Sequence, residues 1–351
     1  MTRARDIADV QDNLGGAVAP YVGAKNFLIN GNYDIWQRGT SFANPASYFA
    51  DRWTTAGPSA GVNNMTLSRE TTGVLAGSQY LLRLTSTGTS SYSSVNQFME
   101  TANVVPLQGK TVTYSFRVRR NATYSNSGIL VIINASSAID AGTSGTYSTN
   151  LAYVNIPLAS IPTTAATSTA TYYTASVTFN VPNDGTSNSL YIQLAYNGAV
   201  ASGSILEYSQ MQLEIGSVAT PFARAGGSIG GELALCQRYY WRNTGVSTGF
   251  NAFTSSGTAR NSSEMDVVLA NPVNMRTTPS AVDYGGTIYA ETYYGSGAQR
   301  TINSLILDTP TNDKFSSLKM TINSANLTQN GRYMVYFANT TSNYIGISAE
   351  L

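Results

Sequence analysis

An all-β fold is what this sequence predicts, and three observations carry the prediction. Apolar residues alternate with polar ones at period two in segment after segment, the signature of half-buried strands. Turns rich in Asn, Gly, Ser and Pro separate those segments, with no helical periodicity between about residues 27 and 217. Charged residues are only 11% of the 351-residue chain, against about 25% in an ordinary globular protein, so hydroxyls and amides must cover the surface.

The elements follow in chain order. Residues 1–24 open with Ala4, Ile7, Ala8, Val10 and Leu14 spaced as a short amphipathic helix that ends at Gly15-Gly16, followed by the extended stretch AVAPYVGAKN. A helix this short is marginal alone in water and is expected to gain order by docking on something larger. Residues 25–225 carry the strand series of an antiparallel sandwich or jelly roll. In TVTYSFRVRR, Val112, Tyr114, Phe116 and Val118 face one way, and Thr113, Ser115, Arg117 and Arg119 the other. Val177, Phe179 and Val181 alternate in ASVTFNV, and Leu190, Ile192, Leu194 and Tyr196 in SLYIQLAY. In EYSQMQLEIG, Met211, Leu213 and Ile215 are expected inward, with Gln210, Gln212 and Glu214 outward. The run ILVII at 129–133 reads as buried on both faces.

Residues 226–243 form a Gly-rich connection and the segment ELALCQRYYWR, which reads as a helix near 231–242. Glu232 falls in its first turn and Arg238 and Arg242 in its last, as the helix dipole favours. Leu233, Cys236 and Tyr240 share one stripe, available to copies of the chain around an axis or to packing inside one protomer. Cys236, the single cysteine, reads as a buried small apolar residue. Residues 244–351 resume strand alternation with Met265, Val267 and Leu269, then Leu318, Met320 and Ile322, and end in YIGISAEL. They are expected to form a second, C-terminal β-sandwich.

Composition also removes function classes. The absence of histidine and the single cysteine leave no Ser-His-Asp triad, no Cys-His pair and no ordinary zinc site. The net charge of +1 gives no reason to expect nucleic acid as partner. MTRARDIADVQDNLGG has arginines without an apolar stretch after them, and no apolar run approaches the ~20 residues of a membrane span, so synthesis in a cytoplasm without membrane insertion is expected.

Several motifs in order carry a resemblance: MTRARDIADVQDNLGG, KNFLINGNYDIWQRGTSF with YFADRWTT, QMQLEIGSVATPF, ELALCQRYYWR and YIGISAEL. Together they resemble tail-fibre and related appendage proteins of tailed bacteriophages, cyanophages in particular, over nearly the whole chain. Residues 25–225 resemble the jelly-roll carbohydrate-binding modules in their NG turn, in LQGKTVTYSF and in the strand ending QLEIG. The resemblance implies virion localisation, attachment to other virion proteins through residues 1–24, and a homotrimer. It also implies a glycan site and, in some such modules, a structural calcium near the first and last strands.

Carried onto this chain, the aromatic candidates for glycan stacking are Trp36 and Trp53, with Gln37 and Arg38 as polar fringe. The competing reading makes these residues framework, with Asp51 paired to Arg52 or Arg38. Asp34 and Glu214 are the carboxylates the module pattern would place near a calcium ion. Three classes of function follow: a non-enzymatic appendage that presents β-domains to a host surface glycan, a purely structural adaptor, knob or head decoration, and a polysaccharide depolymerase. The depolymerase is disfavoured, because neither a long repeat nor a clustered carboxylate run is present.

Overall fold

The computed structural model describes residues 25–351 apart from 46, 56–63, 90–93, 126–127, 143–145, 164–170, 197, 249–250, 293–298 and 324–325. The expected attachment helix within 1–24 lies outside the described residues. The chain divides into two compact units, Met1–Glu232 and Leu233–Leu351.

Two antiparallel sheets build the first unit. The six-stranded sheet has the order β1 (Ser41–Ala43), β3 (Met65–Glu70), β4 (Leu81–Ser86), β11 (Ile205–Ile215), β6 (Thr111–Arg120) and β9 (Tyr173–Asn180). The five-stranded sheet runs β2 (Thr54–Thr55), β5 (Ser94–Met99), β10 (Ser189–Tyr196), β7 (Gly128–Ser136) and β8 (Thr149–Pro157). Their inner faces share one core: Val112, Tyr114, Phe116 and Val118 of β6 pack in the same cluster as Ile129, Val131 and Ile133 of β7 and Ile192 and Leu194 of β10. This is the expected two-sheet sandwich, with the inward residues of β6, β9 and β10 as the alternation assigns them.

Tyrosine is unusually deep in this core. Tyr33 and Tyr114 both donate their hydroxyls to the sulfur of Met211, at 3.5 and 3.0 Å, and Tyr196 donates to Met65 at 3.4 Å. A thioether is a weak acceptor, but it spares the hydroxyl the larger cost of burial with no partner. Burial accordingly raises the Tyr33 and Tyr114 hydroxyls well above the usual phenol range.

Two strand assignments need correction. The ILVII run is not buried on both faces: Ile129, Val131 and Ile133 are buried, while Leu130 and Ile132 are half-exposed. Its neighbour β8 is an edge strand, and Tyr153, which pairs with Ile132, is 60% exposed. Ile215 is 41% exposed rather than inward, because the strand ends there and Gly216 (φ 124°) turns the chain away.

The second unit is all-β as expected, and its strands close. β13 (Asn251–Ala259), β14 (Glu264–Ala270), β18 (Phe315–Ile322), β17 (Arg300–Asp308), β16 (Ile288–Thr292) and β19 (Arg332–Phe337) form a barrel in that order. Closure comes from β16, which pairs with the first two residues of β17 on one side and with β19 on the other. A three-stranded sheet, β12 (Tyr240–Thr244), β20 (Tyr344–Ser348) and β15 (Ala281–Gly285), shares the barrel's core through Trp241, Ile345 and Ile347.

The segment ELALCQRYYWR is therefore only partly helical. The helix spans Ile229–Gln237, and Tyr240, Trp241 and Arg242 belong to β12, paired with Ser348, Ile347 and Gly346. Glu232 occupies the first turn, but no basic residue falls in the last. The stripe Leu233, Cys236 and Tyr240 consequently does not exist. Tyr240 sits on a strand, 1% exposed, with its hydroxyl on Asp283 at 3.2 Å; Cys236 is fully buried and Leu233 half-buried. Aromatic strand formers next to a partner strand outweigh the helical spacing. Among the described residues, no helix is long and apolar enough to cross a membrane.

Candidate functional site

The motif KNFLINGNYDIWQRG with DRW is framework. Asn30 (φ 57°) accepts from Ile35 N through its Oδ1 and donates through Nδ2 to the carbonyls of Ile35 and Asp51. Trp53 Nε1 donates to Asn30 O at 2.9 Å and Trp36 Nε1 to Tyr33 O at 2.6 Å. Trp53 is fully buried and Trp36 is 8% exposed. This corrects the expectation that either ring offers a face to a sugar: both faces are already spent on the core, with Tyr33 tilted against Trp53 at 5.1 Å between centroids. Gln37 and Arg38 do not fringe a sugar platform either. Their donors converge on Asp51, from Gln37 N at 2.7 Å, Gln37 Nε2 at 3.1 Å and Arg38 Nη1 at 3.5 Å. Arg52 instead reaches Phe98 O, at 2.7 Å.

The carboxylates considered for calcium are held by protein donors. Asp34 Oδ2 accepts from Arg224 Nε at 2.7 Å, and Asp34 is buried. Glu214 Oε1 accepts from Gln212 Nε2 at 2.7 Å and from Thr220 N at 2.8 Å, while its Oε2 takes the Thr220 hydroxyl. Asp34 thus has an arginine to balance its charge, and Glu214 takes three hydrogen bonds from neutral donors. Among the described residues, no three His, Cys, Asp or Glu side chains group as a metal site.

These same contacts build a site that the motifs did not indicate. After β11 the chain returns across the outer face of the six-stranded sheet, and Glu214 and Gln212 pin it there. Gln212 Oε1 accepts from Ala223 N at 2.7 Å, Arg224 is tied to Asp34 and to Gly77 O, and Lys25 Nζ donates to Pro221 O at 3.0 Å. Between the returning segment and the sheet lie two adjoining clefts, of about 550 and 270 Å³. Arg117, Gln210, Pro221 and Phe222 line both.

The floor of the clefts is set by a bulge in β11. Register shifts between Ser209 and Gln212, and Gln210 adopts φ 52°. The bulge frees Met211 N to donate to Gly31 O at 2.7 Å, which docks the NG turn beneath. It also aims Gln210 along the outer face, where its amide reaches Ala76 O at 3.2 Å.

Charge on this face is distributed unevenly. Glu207 accepts from Arg119 and, at 2.6 Å, from Arg83, and Glu70 also meets Arg83 at 3.1 Å. Tyr172 covers that network, its ring 4.6 Å from the Arg119 guanidinium carbon. Two residues along β6, Arg117 stands between Thr174 and Ser209 in register, half-buried, and its side chain has no hydrogen bond or ion pair among the described residues. Its only sequence signal was its place on the polar side of TVTYSFRVRR. Phe222 gave none, since it lies in a segment without periodicity.

No family model matches this chain, and no curated protein matches it. Among solved structures, an enzymatically active domain of tailspike protein 4 from bacteriophage CBA120 aligns at 13% identity and a TM-score of 0.35, covering 56% of this chain and 22% of that one. A putative sugar-binding protein from Bacteroides thetaiotaomicron aligns at 11% identity and a TM-score of 0.35, over 54% of this chain and 100% of its own. A xylan-binding domain from Paenibacillus barcinonensis aligns at 10% identity and a TM-score of 0.33, over 56% and 98%.

Proposed function

We propose that this protein is a non-catalytic, glycan-binding appendage of a bacteriophage virion, whose first unit binds saccharide in the clefts over the six-stranded sheet. The observation that carries the binding reading is the adjoining pair of clefts, floored by Arg117 and Gln210 and walled by Phe222. Saccharide recognition needs an apolar surface against a ring face and amide or guanidinium donors for the hydroxyls, and these residues supply both. No carboxylate lines either cleft among the described residues. An ordinary glycoside hydrolase uses two, which favours binding over cleavage. The virion role, the trimer and the attachment by residues 1–24 rest on the sequence resemblance.

Binding to a glycan array, with Gln210→Ala and Phe222→Ala as controls, tests the reading. Saccharide binding lost in both variants, with no new reducing ends after prolonged incubation, is the expected outcome. A protein that binds no glycan is instead a structural adaptor, and release of reducing ends would make it an enzyme.

A further inference from the structure

Resting on the glycan-binding reading, we infer that the clefts select an acidic saccharide, and that Arg117 is the residue that takes its anionic group. The chain as a whole has a net charge of only +1, yet the larger cleft gathers Lys25, Arg117 and Arg224 and no carboxylate among its described lining residues. Arg224 is balanced by Asp34 at 2.7 Å, and Arg83 and Arg119 are balanced by Glu207. Arg117 stands apart. It has no counter-charge among the described residues, is half-buried, and opens on both clefts. A half-buried arginine without a carboxylate partner gains little for stability and is well suited to an incoming anion, since its planar fork matches a carboxylate or sulfate in a bidentate pair. Lys25, exposed and with its Nζ on Pro221 O, adds a second positive charge on the same rim. Gln210, fixed by the bulge, supplies a neutral amide beside the guanidinium for a neighbouring hydroxyl.

The test compares saccharides that differ in charge and little else. Titration calorimetry of the full chain against polygalacturonate, its methyl ester, dextran sulfate and dextran separates carboxylate, sulfate and neutral recognition. The acidic polymer that fits is expected to bind about 10- to 100-fold tighter than its neutral counterpart, the range of a charge-assisted bidentate pair. Rising salt should weaken that preference. Arg117→Ala should bring the acidic polymer down to its neutral counterpart, and Arg117→Lys should restore part of the difference. Because the Arg117 side chain makes no hydrogen bond or ion pair among the described residues, its variants should melt close to the wild type, which separates lost binding from lost fold. Equal binding of acidic and neutral partners, abolished by Phe222→Ala but untouched by Arg117→Ala, overturns the acidic selectivity and leaves the glycan reading standing. No binding to any of the four overturns both.

Discussion

Glu232 shows how much a single side chain can hold that no sequence pattern announces. Sequence placed it in the first turn of a helix, where its charge suits the dipole. In the fold it is buried, and its carboxylate accepts from Gly226 N at 2.8 Å and from Asn30 N, so it joins the helix start to the NG turn 202 residues earlier. Burial raises its pKa above the ordinary 4.5, against the pull of those two N–H donors. Between pH 4.5 and the raised folded value, the folded chain therefore holds more of this proton than the unfolded chain does. This contribution to stability is fully present below about pH 4.5 and is lost as pH rises through the folded value. Glu232→Gln removes the titration while keeping one acceptor, so Tm plotted against pH should flatten just above pH 4.5 relative to wild type. An unchanged slope would assign that titration to another group. Trp53 is the opposite case, a residue whose type was legible and whose role was not. Tryptophan beside Asp and Arg reads equally as sugar platform or framework, and only its complete burial decides. Trp53→Ala should cost about 3–5 kcal/mol in urea unfolding. A loss below 1 kcal/mol would contradict its place in the core.

At the scale of elements, period-two alternation was readable wherever one face is core and the other is open. β9 follows it along its length, whereas in β6 the apolar residues point inward as alternation assigns them but Thr113, Ser115 and Arg119 on the other face are also covered. It failed at two kinds of place. In β10 all eight residues are buried, so Tyr191 and Gln193 are covered on the face that alternation would leave to water. In β11 the bulge breaks the register, and nothing in EYSQMQLEIG marks it, because the cause is distant: the NG turn must pack against Met211. Gly31 is required by that packing rather than by its own φ. A Cβ there would lie 2.1 Å from Met211 O, a backbone atom that cannot swing aside. Gly31→Ala should therefore destabilise at the upper end of the about 1–3 kcal/mol that overpacking costs. It should also weaken saccharide binding in the still-folded protein, since the bulge that aims Gln210 rests on this contact. Wild-type stability in this variant, read from denaturant midpoints, would show that the turn is not packed as described.

For the whole molecule, the two β-units were legible from composition and strand spacing, but the place where the second begins was not. Helical spacing carried the reading of ELALCQRYYWR through to residue 242, and a domain starting at 244 followed from it. The backbone shows otherwise. Tyr240–Thr244 is a strand on β20, Trp241 lies in the barrel's core cluster with Nε1 on Asn271 at 3.1 Å, and Ala349 N donates to Tyr239 O at 2.7 Å. The five residues ahead of the expected boundary thus bring three large aromatic side chains, Tyr239, Tyr240 and Trp241, into the second unit, and removing one such side chain costs about 3–5 kcal/mol. Whole domains are stable by only about 5–15 kcal/mol. A fragment of residues 233–351 should therefore fold alone with a cooperative melt. A fragment of residues 245–351 should not, because β20 loses one of its two partner strands and the core opens where Trp241 stood. Circular dichroism and heteronuclear NMR of the two fragments decide the matter. Equal dispersion and equal Tm would mean that β12 is an appendage to the barrel rather than a part of its core.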